Sequence, residues 1–150
     1  MMTPPALPVI ARDAVLVCMR LLVATILLGQ ASKKLFENGF AGTVVEFRRM
    51  GIPLPSLSAT FAISVEFLGG IALALGFLTL IGGGLVVVNM LGALIFAHAA
   101  DIMNGGDSWL MAGVVCASTL LLMVAGPGRV SVDYALHRRA QHREIPEGRP

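Results

Sequence analysis

Four runs of apolar residues, about 14–31, 57–77, 80–99 and 108–125, alternate with short polar stretches along the chain. Each is close to the 20 or so apolar residues that cross the hydrocarbon layer of a bilayer. The pattern predicts an all-α fold built as a four-helix transmembrane bundle. Leu78 and Thr79 leave so short a break between the second and third runs that these helices are expected to form an antiparallel hairpin. Gly126-Pro127-Gly128 stops the fourth run, because glycine and proline end a helix. The stretch from Leu35 to Pro55 is too polar to cross. Within it Phe40, Val44 and Phe47 recur at helical spacing while Glu46, Arg48 and Arg49 fall elsewhere, which predicts a short amphipathic helix from Phe40 to Met50 lying in the interface. Gly51, Pro53 and Pro55 end it; an ordinary solvated loop is the alternative. The expected organisation is an N-terminal cytoplasmic segment 1–13, one membrane domain 14–128, and a basic tail 129–150 in which His137 to Pro150 has no fold of its own.

Composition strengthens this picture. Of the 150 residues 56% are hydrophobic and 13% charged, and the mean hydropathy of +0.82 is far above that of a soluble domain. A net charge of +2 is too small to suggest nucleic acid, and the basic residues sit at the ends of the apolar runs, where they anchor helices to headgroups. Met1 to Arg12 carries little charge and no Ala-x-Ala site directly follows the first run, so that run is expected to stay as an anchor. Cys18 and Cys116 each lie inside an apolar run, without a CxxC pair or a Cys/His cluster, so they read as packing residues and no metal site is expected. Arg12, Arg129, Arg138, Arg139 and Arg143 fall on the side of the termini; Lys33, Lys34, Arg48 and Arg49 fall opposite, with Asp101 and Asp107. The balance predicts both termini inside.

Arg20, Glu66 and Asn89 interrupt the runs, and a charge at the bilayer centre needs a partner or a cavity. Glu66 and Asn89 lie roughly 16 and 15 Å from the inner ends of their spans, and Arg20 roughly 10 Å, so one buried cluster is expected. Residues three or four positions from Glu66 include Gly69 and Gly70, and those from Asn89 include Gly92 and Ala93, small residues that mark packing faces. Arg20, Leu27, Ala31 and Lys34 form one stripe, which places Lys34 above Arg20 at the outer end. His98 points away from Asn89 and is expected near Lys34, Asp101 or Trp109, so Lys34, His98 and Asp101 are the polar candidates at that end. Two readings stand for the central cluster: an ion pair with an amide neighbour that fixes helix packing, or a polar pocket for a quinone or other small ligand, or a proton path through Glu66.

The chain resembles the DoxX family from Arg20 through Tyr134. The matching elements are Arg20-Leu21-Leu22, Gly29, Lys34-Leu35-Phe36, Gly51-Ile52-Pro53-Leu54-Pro55, Glu66-Phe67-Leu68-Gly69-Gly70, Leu75-Gly76 with Thr79, and Gly126-Pro127-Gly128-Arg129 with Ser131, Asp133 and Tyr134. It departs at Leu80, where a basic residue often follows the threonine, and in the short loop after His98. The resemblance implies a small four-helix protein of the bacterial inner membrane, named by similarity to membrane subunits of a thiosulfate:quinone oxidoreductase. No flavin, haem or iron-sulfur motif is present, no cofactor is evident, and catalytic residues stay unknown; electron transfer would need a bound quinone or a partner subunit. The expected function is an accessory or anchor subunit of a membrane-associated, quinone-linked redox system. Its partners would be the lipid bilayer and a soluble oxidoreductase or a second copy of the chain. A small proton-coupled transporter and a purely structural membrane protein are the alternatives.

Overall fold

The computed structural model describes residues 9–126, 128, 130–133 and 138, and for Val9, Ala100 and Asp101 the backbone alone. The segment before Val9, together with Pro127, Arg129, Tyr134, His137, Arg139, Arg143 and the rest of the basic tail, lies outside the described residues, as does the Asp101 side chain.

All the described secondary structure is helical. Helix α1 runs Val9–Ser32 and continues into a π-helical segment, Lys33–Glu37; α2 is Gly39–Arg49 and α3 is Pro55–Leu75. Helix α4, Thr79–Gly92, continues into a second π-helical segment, Ala93–Ala97, followed by the short α5, Ala99–Met103, and by α6, Leu110–Ala125. Three stretches are long and apolar enough to cross a membrane: Ile10–Glu37, Pro55–Leu75 and Thr79–Ala97. Helix α6 is as apolar but has 16 residues. It starts two residues later than the apolar run because Ser108 and Trp109 belong to a turn, in which Leu110 N–H donates to Asp107 O at 3.0 Å and Trp109 Nε1 to Gly106 O at 3.0 Å.

Helix α1 packs on α3, α3 on α4, α4 on α6 and α6 back on α1. The buried positions follow the three-and-four spacing that such packing needs: Leu16, Arg20, Val23, Leu27 and Ala31 on α1, and Thr79, Gly83, Val86 and Met90 on α4. Outside this core the helices stay apolar. Leu68, Leu80, Val88, Leu121 and Val124 are all more than half exposed, a surface that suits acyl chains and not water. Glycines bring the backbones together. A Cβ on Gly69 would fall 2.8 Å from Val86 of α4, one on Gly70 3.1 Å from Leu28 of α1, and one on Gly83 2.8 Å from Met123 of α6. Gly92 differs from expectation: nothing lies within 4 Å of its Cβ position, because it faces a cavity and not a neighbouring helix.

The α3–α4 hairpin turns at Gly76, whose positive φ of 64° closes a Schellman motif: Phe77 N–H donates to Ala72 O at 2.9 Å and Gly76 N–H to Leu73 O at 3.1 Å. Gly51 ends α2 in the same way, with Ile52 N–H on Phe47 O and Gly51 N–H on Arg48 O. The observed α2 lies within one residue of the predicted amphipathic helix, but its buried face centres on Thr43, while Phe40 is exposed.

Candidate functional site

The polar residues inside the bundle divide between its two ends. At the end that carries α2 and α5, Lys34 Nζ donates to Glu66 Oε1 in an ion pair, and Asn89 Nδ2 donates to the same oxygen at 3.2 Å. Glu66 is 2% exposed, and its other oxygen, Oε2, is buried and accepts no hydrogen bond among the described residues. Three elements hold this group. The α1 stripe carries Lys34 on the side that faces α3, and the π-helical segment widens the backbone at Lys34; single π turns inside helices are frequent where a side chain has to be re-aimed. Thr43, fully buried on α2, ties the segment down by donating to Lys34 O at 3.0 Å while also bonding Gly39 O at 3.1 Å.

Arg20 does not join this group, contrary to the expected cluster of Arg20, Glu66 and Asn89. Its guanidinium donates through Nη2 to Val130 O at 2.6 Å and packs against Gly76, so it stands level with the α3–α4 turn. The reason is vertical register. Glu66 lies ten residues before Gly76, roughly 15 Å up the helix, and Lys34 lies fourteen residues beyond Arg20, roughly 21 Å up α1. No arginine side chain covers that gap, whereas Lys34 is near the level of the carboxylate. Lys34 stands above Arg20 on the stripe as expected, but it is turned into the bundle and is the partner of Glu66 that Arg20 was expected to be.

At the turn end the segment after α6 folds back on the hairpin. Asp133 accepts from Leu78 N–H at 2.8 Å, Thr79 N–H at 3.0 Å and the Thr79 hydroxyl at 3.1 Å, and its own N–H donates to Gly76 O at 3.1 Å. Asp133 thereby caps α4 from more than fifty residues away. In the sequence Thr79 marks the short break between two runs, while Gly76 and Asp133 figure only as elements of a resemblance, and no local spacing links the three. Arg12 adds a bond from Nη2 to Ala125 O at 3.1 Å, a cation at the C-terminus of α6.

The α2 end carries a half-open cavity of about 720 Å³, within the 300 to 1,000 Å³ or so of small-molecule sites. Its walls are chiefly apolar, with Phe47, Phe61, Met90, Phe96 and Met111 among them, and Lys34, Glu66 and Asn89 form its polar part. Gln30, Glu46, His98 and Ser108 also line it, with His98 Nδ1 and Ser108 Oγ 3.0 Å apart. His98 thus sits beside the turn that holds Trp109, while the Asp101 side chain is outside the described residues. No group of three or more His, Cys, Asp or Glu side chains that could hold a metal occurs among the described residues.

Chemically, an apolar chamber with a charged pair and an amide on one wall suits a lipophilic molecule with a polar head. Lys34 and Asn89 are the donors on that wall able to hold a head oxygen.

The chain is 31% identical over 130 residues to the inner membrane protein YphA of Escherichia coli K12, covering 82% of this chain and 91% of that one. It is 29% identical over 135 residues to the uncharacterized membrane protein Rv3486 of Mycobacterium tuberculosis, covering 83% and 82%. No solved structure matches it. The DoxX family model matches residues 15–99, which contain the Lys34–Glu66–Asn89 group and the hairpin turn, and the chain belongs to the DoxX family of membrane proteins.

Proposed function

We propose that this protein is a four-span membrane protein that holds a quinone or a similar lipophilic molecule at Lys34, Glu66 and Asn89, as an accessory or anchor subunit of a membrane-associated redox system. One observation carries the reading: the buried ion pair and amide lie on the wall of an apolar cavity of about 720 Å³, where a purely architectural ion pair would need no chamber beside it. A soluble oxidoreductase docked at the membrane surface would supply the electron chemistry that this chain has no motif for.

Helix α6 completes the bundle in this reading. Its 16 residues reach roughly 24 Å, a little short of the hydrocarbon layer, and Trp109 at its start supplies an interfacial anchor. Exposed Leu110, Met111, Val114, Leu121 and Val124 give it a lipid-facing side. Both termini belong on the cytoplasmic side. Lys34 is turned into the bundle, so it drops out of the basic residues counted on the opposite face, and the balance favours the Arg-rich termini.

The test is extraction. Protein purified in mild detergent should carry a lipophilic molecule, identified by its absorbance spectrum and by chromatography of a solvent extract. Glu66→Gln and Lys34→Met should each lower its occupancy about tenfold, since each breaks a charge-assisted bond. Arg20→Met, at the far end, should leave occupancy unchanged. Wild-type protein that is folded and yields no such molecule, or Glu66→Gln protein that keeps full occupancy, would sink the reading.

A further inference from the structure

Donors and acceptors are unevenly spent at the polar wall. Glu66 Oε1 receives both Lys34 Nζ and Asn89 Nδ2, while Oε2, equally buried, receives nothing among the described residues. A carboxylate oxygen left without a donor in an apolar surrounding is among the costlier omissions in a protein interior. The hydroxyls that line the cavity are engaged elsewhere: Ser58 Oγ donates to Pro53 O at 2.7 Å, and Ser108 Oγ is paired with His98.

Resting on the reading of this cavity as a ligand site, we infer that it selects lipophilic molecules whose head donates a hydrogen bond, such as a phenol or a hydroquinone. Molecules whose head only accepts one, such as an aryl ether, bind less tightly, and of a quinone and its reduced form the hydroquinone is held more tightly. Lys34 keeps N–H groups that Glu66 does not use, and they serve either kind of head equally, because both carry oxygen lone pairs. The difference lies at Oε2. A hydroxyl satisfies it and also accepts from Lys34; a carbonyl or ether oxygen leaves it empty and sets a second electron-rich oxygen beside the carboxylate. Oε2 is itself buried, so a hydroxyl in the chamber that Glu66 lines reaches it by a turn of the carboxylate about its terminal torsion, which is broad in glutamate.

The experiment compares para-octylphenol with its methyl ether, which share a tail and an oxygen and differ in the O–H. Dissociation constants are measured by titration calorimetry on the full chain in lipid nanodiscs, against empty nanodiscs to subtract partitioning. The phenol should bind about tenfold or more tightly than the ether. Glu66→Gln, which turns one carboxylate oxygen into an N–H donor, should bring the two within about twofold of each other. Equal affinity of both compounds for the wild type overturns the donor requirement and leaves the cavity as a binding site. Failure of both to bind folded wild-type protein overturns the cavity reading along with it. The wild-type comparison stands by itself should the glutamine variant not fold.

Discussion

Leu78 occupies the N-cap of α4 with φ of 47°, a left-handed conformation that costs a side chain with a Cβ about 1 to 2 kcal/mol. It also has no oxygen with which to cap. Asp133 remedies the second defect: its carboxylate takes the N–H groups of Leu78 and Thr79 and the Thr79 hydroxyl, where the helix dipole favours negative charge. Asp133→Ala should therefore lower stability by about 1 kcal/mol or more, read as a drop in the thermal unfolding midpoint in detergent. Leu78→Gly in that background should recover part of the loss by relieving the backbone. An unchanged midpoint in Asp133→Ala would show that the hairpin stands without its distant cap. Gly76, between them, has no substitute, since it needs a positive φ and any Cβ there would overlap Arg20 Nη1.

At the scale of elements, the helices were legible because lipid leaves few options: apolar runs of the right length become helices, and their ends were read to within a few residues at α3, at α4 taken with its π-helical continuation, and at α6. Two things were not legible. One is the pair of π-helical segments, Lys33–Glu37 and Ala93–Ala97, which are adjustments to packing at the α2 end and have no periodicity of their own. The other is the partner of Glu66. Depths measured from the ends of apolar runs placed Arg20 near it, but α1 begins at Val9, well before its apolar run, and Arg20 falls at the level of the α3–α4 turn. The stripe Arg20, Leu27, Ala31, Lys34 was read correctly as a face; which end of that face meets the carboxylate depends on the sliding of α1 against α3, which glycine contacts such as Gly70 on Leu28 settle. Asp133 escaped because its partners are set by chain reversal and not by local pattern. Besides its packing on α3, α2 holds the backbone of Lys34 through the Thr43 hydroxyl, a bond that can be tested alone. Thr43→Val keeps shape and removes the bonds to Lys34 O and Gly39 O, whereas Thr43→Ser keeps them. The valine variant should lose about 1 kcal/mol and show faster proteolysis or hydrogen exchange confined to residues 33–50; the serine variant should lose less. Equal behaviour of the two would assign Thr43 to packing only.

For the whole molecule the consequence is an asymmetry between ends. The turn end is closed by short hydrogen bonds among Arg20, Gly76, Leu78, Thr79 and the segment after α6, while the α2 end holds the cavity, both π-helical segments and the two short helices. In the proposed four-span arrangement with both termini inside, the turn end and the termini would share the cytoplasmic face and the cavity end would lie on the other. That arrangement is testable through single cysteines in a background where Cys18 and Cys116 are replaced by alanine and serine. A cysteine at Arg49 or at Asn104, both exposed at the α2 end and outside the three long apolar stretches, should react in whole cells with a membrane-impermeant maleimide, once the outer envelope is opened. One at Phe77 or at Arg138, both exposed, should react only when the inner membrane is broken. Labelling of the C-terminal position together with Asn104 would mean that α6 does not cross, leaving three spans, and the cavity would then lack the α6 wall formed by Met111, Ala112 and Val115. Because a chamber missing that wall would be flooded by lipid, the same experiment bears on the ligand site: the buried Lys34–Glu66 pair keeps its low-dielectric surroundings only if α6 stands where it closes the ring against α1 and α4.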